Sequence, residues 1–274
     1  MGIRVRQLFS PTRFARSAGL KLFYGRLRWR RTGLAFHLWY ALLAYWFNAV
    51  HDLFSGRFPL AWLYVSQRIV EVPFCQRAVD DATVPDDVVF ELGSVVWPYL
   101  SGRVKEVTVC DWSYGSDPSD PSEIPANVTI METDFLKAEL PAESFDVVVS
   151  VSTVEHIGMG EYGDPLYADG DRAAVLGLYR LLKPGGLMVL GMPFGRIEDS
   201  WYRVYDPERF RSLMEGINVI SVQHWIWRFP WWYRATEAQA AKADSTTRDR
   251  PRATFVIQAR KERATGKPGD GGLS

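Results

Sequence analysis

The sequence predicts an α/β protein. Its sheet is doubly wound and Rossmann-like, mostly parallel with an antiparallel C-terminal strand, and an N-terminal helical extension precedes it. Three observations predict this. Short β-branched runs recur through residues 85–260, separated by helix-length segments, as in a parallel sheet covered on both faces. Acids and small residues follow several of these runs, at the strand ends where open parallel sheets bind ligands. Last, Val219–Trp227 and Ala253–Ala259 read as an antiparallel strand pair with an aromatic and then a polar insertion between them.

The runs can be placed in order. Val88-Val89-Phe90 is the first strand and ends at Glu91-Leu92-Gly93-Ser94. Val107-Thr108-Val109-Cys110 is the second, ending at Asp111, and Val128-Thr129-Ile130-Met131 is the third, followed by Asp134. Residues 145–152 form the fourth. Asp171 opens a helical pattern through Val175, Leu178 and Leu182, closed by Lys183-Pro184-Gly185-Gly186, and Leu187-Met188-Val189-Leu190 is the fifth strand.

Composition divides the chain into an N-terminal extension (1–80), a main domain (81–260) and a Gly-rich tail (261–274) expected to fray. Formal net charge is zero, yet residues 1–31 carry nine Lys/Arg and no acid, leaving 23 basic against 32 acidic residues elsewhere. A basic head on an acidic body points to an anionic partner. Leu34–Val50 is apolar apart from His37 and Asn48, and its seventeen residues fall just short of the ~20 that span a hydrocarbon core. His37, Ala44, Asn48 and His51 recur as a weaker stripe, which favours an interfacial helix over a true span and leaves an ordinary packed helix open. The expectation is peripheral membrane contact through residues 1–50, in the cytoplasm and on the inner face of the plasma membrane. Two cysteines, Cys75 and Cys110, imply neither a disulfide framework nor a zinc site. No metal and no nucleic acid is expected.

The candidate site gathers residues at the strand ends. Gly93 lets backbone approach a ligand closely. Asp111, after the second strand, can accept hydrogen bonds from two ribose hydroxyls, and Asp134, after the third, from an adenine amino group. Each acid could instead cap the helix that follows it. His156, beyond the fourth strand, is placed to remove a proton from a substrate hydroxyl with Glu155 positioning it, or to be a structural histidine. Glu161, Asp164, Asp169 and Asp171 read as a solvated acidic loop, with Asp169 or Asp171 capping the next helix. Trp225 and Trp227 alternate like one strand face and are expected in the core, whereas Trp231 and Trp232 are surface candidates.

These motifs resemble the class I S-adenosylmethionine-dependent methyltransferases: an acid-x-Gly turn after strand one, an acid after strand two and an acid near strand three. Leu181-Leu182-Lys183-Pro184-Gly185-Gly186-Leu187 is similar to that family's entry into strand five. Glu155-His156-Ile157-Gly158, then Tyr162-Gly163-Asp164-Pro165 and Asp169-Gly170-Asp171, resemble the DUF268-like branch, close to the type 11 methyltransferases. The resemblance implies S-adenosyl-L-methionine as cofactor, held by Glu91, Gly93, Ser94, Asp111, Asp134 and Ser152, with Glu155 and His156 catalytic. It implies O-methylation of a sugar, glycan or other small hydroxylated acceptor, in some cases lipid-linked. The turn departs from the family in one respect: Glu91-Leu92-Gly93-Ser94-Val95-Val96-Trp97 keeps one glycine where the family has two or three. The alternative reading is therefore a catalytically degenerate module that binds or scaffolds at a membrane.

Overall fold

The computed structural model describes residues 67–112, 124–196, 202–228, 231–244 and 251–263. Leu34–Val50 and the basic head lie outside them. Among the described residues, eight strands form one sheet in the order β3-β2-β1-β4-β5-β8-β6-β7. These are β1 (Val88–Leu92), β2 (Glu106–Cys110), β3 (Val128–Met131), β4 (Phe145–Val151), β5 (Leu182–Phe194), β6 (Val219–Arg228), β7 (Trp231–Ala235) and β8 (Ala253–Arg260). The first five pair in parallel, and β8 runs antiparallel between β5 and β6. This is the predicted architecture, including the antiparallel pair near the C-terminus. It also contains one strand the sequence concealed: β7, within the aromatic insertion, folds back on β6 as a hairpin.

The central strands are apolar on both sides because both faces are covered. On one face lie α1 (Arg68–Ala82) and the single-turn α2 (Trp97–Leu100), over Val89, Val107, Val109, Val147 and Val149. On the other lie α3 (Gly170–Leu181) and α4 (Pro207–Leu213), over Phe90, Val148, Met188, Leu190 and Phe255. A further short helix, α5 (Glu237–Ala240), follows β7 directly and begins with a Thr236/Gln239 capping box.

The expected boundary at residue 80 falls inside α1. Val72, Phe74, Cys75 and Val79 of that helix belong to the same buried cluster as the strands, so residues 68–82 are part of the sheet domain. The fifth strand is also longer than Leu187–Leu190. Lys183-Pro184-Gly185-Gly186 does not interrupt it but forms an irregularity, since pairing with β4 jumps from Phe145↔Leu182 to Val147↔Leu187. Gly185 takes a left-handed φ of +86° there, and its N–H donates to the Lys261 carbonyl.

Trp232 departs from expectation, while Trp225 and Trp227 pack against the core as expected. Trp232 is among the most buried side chains and packs with Ile69 and Val70 at the start of α1, whereas Trp225 and Trp227 are half-buried. The hairpin is the reason: pairing Trp227 with Trp232 turns the latter's ring toward α1.

Candidate functional site

The turn after β1 is organised by Glu91. Its fully buried carboxyl accepts the N–H groups of Val95 and Val96 through Oε1, each at 2.7 Å, and of Trp97 through Oε2 at 2.6 Å. This carboxyl folds the turn from within. Burial pushes it up to about 8, against the pull of the three N–H groups. Gly93 adopts φ +90°, and a Cβ there would stand 2.2 Å from Thr153 Oγ1. The neighbour that this glycine admits is the turn after β4, which rests against the turn after β1.

Ser94 and Asp111 meet across the ends of β1 and β2. The Ser94 hydroxyl donates to Asp111 Oδ2 at 2.5 Å. The Asp111 N–H donates to the Met131 carbonyl, which fixes the residue at the end of its strand with the carboxylate only half-buried. Asp134 caps the 3-10 turn Phe135–Lys137, accepting the Leu136 N–H at 3.0 Å, and its other oxygen accepts the Tyr167 hydroxyl at 2.7 Å. The cap weighed against a ligand role is thus present, and the carboxylate also ties the loop before α3 to β3.

The turn after β4 carries Ser152, Glu155 and His156. Ser152 has a left-handed φ of +45°, unusual for a residue with a side chain. Its hydroxyl points inward and donates to Glu71 Oε2 at 2.6 Å. Helix α1 covers this end of the strand and claims the hydroxyl, which leaves the backbone of Ser152 as the part that could meet a cofactor. Glu155 and His156 sit in a single 3-10 turn, Val154–His156. Glu155 is buried and its Oε2 has no hydrogen-bond partner, while Oε1 lies 4.0 Å from His156 Nε2. At that distance the two side chains are neighbours without a hydrogen bond. Burial above all pushes the Glu155 carboxyl up to about 8. The His156 ring is framed edge-on by Tyr162 at 5.4 Å and Tyr202 at 5.7 Å.

The acidic loop is folded, not merely solvated. Asp164 accepts the N–H groups of Gly158 at 3.1 Å and Tyr162 at 3.3 Å. Neither Asp169 nor Asp171 caps α3. Asp169 stands at the N-cap without a side-chain bond, and Asp171 accepts the Tyr205 hydroxyl at 3.0 Å and lies 3.5 Å from Arg203 Nε. Arg203 straps the loop from outside, donating to the carbonyls of Ile157 at 2.5 Å and Tyr167 at 3.0 Å.

Sequence reasoning missed Glu71, Arg68, Thr254 and Arg203. The Arg68 guanidinium donates to the Val151 and Ser152 carbonyls, and Thr254 Oγ1 lies within hydrogen-bond distance of both Glu71 Oε1 and the Met192 carbonyl. One signal was legible: Glu71 is a single acid inside the apolar run Ile69-Val70-Glu71-Val72-Pro73-Phe74-Cys75. A lone charge on a buried helix face needs a partner.

Comparison with known proteins agrees with this architecture. Residues 126–257 match the family model described as "Caenorhabditis protein of unknown function, DUF268". No curated protein shows significant sequence similarity. Among solved structures, the N-methyltransferase NodS from Bradyrhizobium japonicum, in complex with S-adenosyl-L-homocysteine, is similar at a TM-score of 0.50 and 15% identity, covering 71% of this chain and 87% of NodS. A putative methyltransferase from Bacillus halodurans gives 0.47 and 12%, covering 68% and 97%. The [4+2]-cyclase SpnF gives 0.47 and 13%, covering 69% and 80%. With its parallel core in the order 3-2-1-4-5, its antiparallel β8 and its strand-end acids, the chain has the fold of the class I S-adenosylmethionine-dependent methyltransferases, in a form similar over residues 126–257 to the DUF268 family.

Proposed function

We propose that the protein transfers a methyl group from S-adenosyl-L-methionine to a hydroxyl of a sugar, glycan or other small acceptor. The observation that carries this reading is the Ser94–Asp111 pair at the carboxyl ends of β1 and β2, beside the turn at Gly93. Asp111 is an acceptor-only group held half-exposed at a strand end, which suits a ribose diol. A bound S-adenosyl-L-methionine supplies an electrophilic methyl on its sulfonium. Glu91 is fully spent on three loop N–H groups, so its part is to hold the turn that would receive the cofactor.

The turn after β4 touches that turn through Thr153, and so brings His156 to the same edge of the sheet. His156, framed by Tyr162 and Tyr202 and beside the buried Glu155, is the residue placed to take the acceptor's proton as the oxygen attacks. The fold supports the methyltransferase reading, while the acceptor rests on hydroxyl chemistry at His156. Calorimetry with S-adenosylhomocysteine tests it: the wild type should bind and Asp111→Ala should bind more weakly. A wild type that does not bind would favour a degenerate scaffolding module.

We further propose that residues 1–50 hold the protein on the cytoplasmic face of a membrane. Nine positive charges without an acid, followed by Trp39, Tyr40, Tyr45, Trp46 and Phe47, support that reading.

A further inference from the structure

Glu71 stands on α1, outside the strand-end cluster, and is fully buried. Its side chain crosses β5 at Gly191, where a Cβ would come within 3.1 Å of Glu71 Cγ. Its carboxyl meets two hydroxyls, Ser152 Oγ at 2.6 Å on Oε2 and Thr254 Oγ1 at 2.6 Å on Oε1. Thr254 Oγ1 also lies 2.7 Å from the Met192 carbonyl oxygen. Each of these three short oxygen–oxygen contacts needs a proton between its atoms. The serine and threonine hydroxyls supply one proton apiece, and the backbone carbonyl supplies none. The third proton has to sit on the Glu71 carboxyl.

Arg68, Cys75 and Glu155 all interact electrostatically with Glu71. Arg68, on the same helix, favours the ionised form, but donates to the carbonyls of Val151 and Ser152. Cys75 on α1 and Glu155 in the turn after β4 are both buried beside it, and an ionised Glu71 would repel the charged form of each. Burial itself disfavours a charge here and raises the carboxyl above its ordinary value.

We propose that Glu71 is held as a neutral carboxylic acid, donating through Oε1 to Thr254, which donates to the Met192 carbonyl, while Ser152 donates to Oε2, and that this chain sets the turn carrying Glu155 and His156. The second half rests on the reading of that turn as the methyl-transfer site. Ser152 is its pivot. The left-handed φ of +45° is held by its hydroxyl on Glu71, its N–H on the Gly191 carbonyl and its carbonyl under Arg68. Three residues on is Glu155. Glu71 is thus a positioning residue that acts through Ser152.

Two readouts on the full chain test this without any acceptor. In the infrared spectrum at neutral pH, Glu71→Gln should remove a carbonyl band of a protonated carboxylic acid and leave the carboxylate bands unchanged. Loss of carboxylate absorption instead would overturn the protonation. For positioning, the imidazole resonances of His156 should shift in Glu71→Ala and in Ser152→Ala. They should return to the wild-type values in Glu71→Gln, which keeps one donor and one acceptor in place. Ser152→Ala removes a single bond and serves if Glu71→Ala does not fold. Unshifted His156 resonances in Ser152→Ala would overturn the positioning role. Neither result depends on S-adenosylhomocysteine binding, so a failure of the methyltransferase reading is seen separately.

Discussion

Thr153 Oγ1 occupies space 2.2 Å from where a Cβ on Gly93 would stand. The turns after β1 and β4 therefore touch only because residue 93 has no side chain. Its φ of +90° adds a second demand that only glycine meets easily. Gly93→Ala is expected to lose about 2–5 kcal/mol, the sum of left-handed strain and overpacking. Denaturant unfolding measures this, and a loss below ~1 kcal/mol would mean the turns can separate freely.

Asp111 should matter to cofactor affinity more than to the fold. Asp111→Ala is expected to weaken S-adenosylhomocysteine binding by about 1–3 kcal/mol through lost charge-assisted hydrogen bonds. Calorimetry gives the number. Ser94→Ala should have a smaller effect in the same direction, since Ser94 orients one Asp111 oxygen. Unchanged affinity in the aspartate variant would remove the ribose assignment.

His156→Ala is expected to lower turnover by about 10²-fold or more while leaving cofactor affinity nearly unchanged, as a general base should. The measurement requires an acceptor, for which hydroxylated sugars are the first class to screen. Normal turnover in the variant would make His156 a structural residue framed by Tyr162 and Tyr202.

Stability should fall with rising pH. Burial pushes the Glu91 and Glu155 carboxyls up to about 8 from an unfolded value of 4.5. Each binds its proton more tightly when folded. The stability this contributes is complete below about 4.5 and is lost as pH rises to about 8. Glu155→Gln, which mimics the neutral acid, should melt close to wild type at the acid end. At the alkaline end it should melt higher, by ~2–4 °C per kcal/mol relieved. Thermal melts across that range decide it, and a variant that melts lower at the alkaline end would show that Glu155 is folded as a carboxylate.

The basic head predicts a membrane-bound protein. Each basic residue near an anionic surface contributes about 1 kcal/mol that salt screens, and buried aromatics add a part that salt leaves. Membrane fractions washed with high salt and then alkaline carbonate separate the cases. Release only by carbonate is the expected result for an interfacial helix. A full-length protein found soluble before any wash would return Leu34–Val50 to the role of a packed helix.

The strand runs were legible because a buried parallel strand must be apolar on both faces, which leaves unbroken β-branched runs such as Val147–Val149. Glu91, Gly93 and Asp111 were legible for a related reason: their chemistry is tied to strand ends, and strand ends can be counted along the chain. The hairpin strand β7 was not, because Trp231-Trp232-Tyr233 carries no alternation that marks which ring turns inward. Asp171 does not cap α3 because Tyr205 and Arg203, distant in sequence, took its carboxylate for themselves.

The sequence by itself determined the fold class, the order of the parallel strands' ends and the acids that stand at them, since each follows from local hydrophobicity and spacing. Tertiary structure alone decided what those side chains touch. Ser152 turns inward because Glu71, 81 residues earlier, lies across Gly191. Thr254, 183 residues from Glu71, completes the same buried chain. A hydroxyl can satisfy a ligand or a buried carboxyl equally well, and only the packing of α1 on the sheet selects between them.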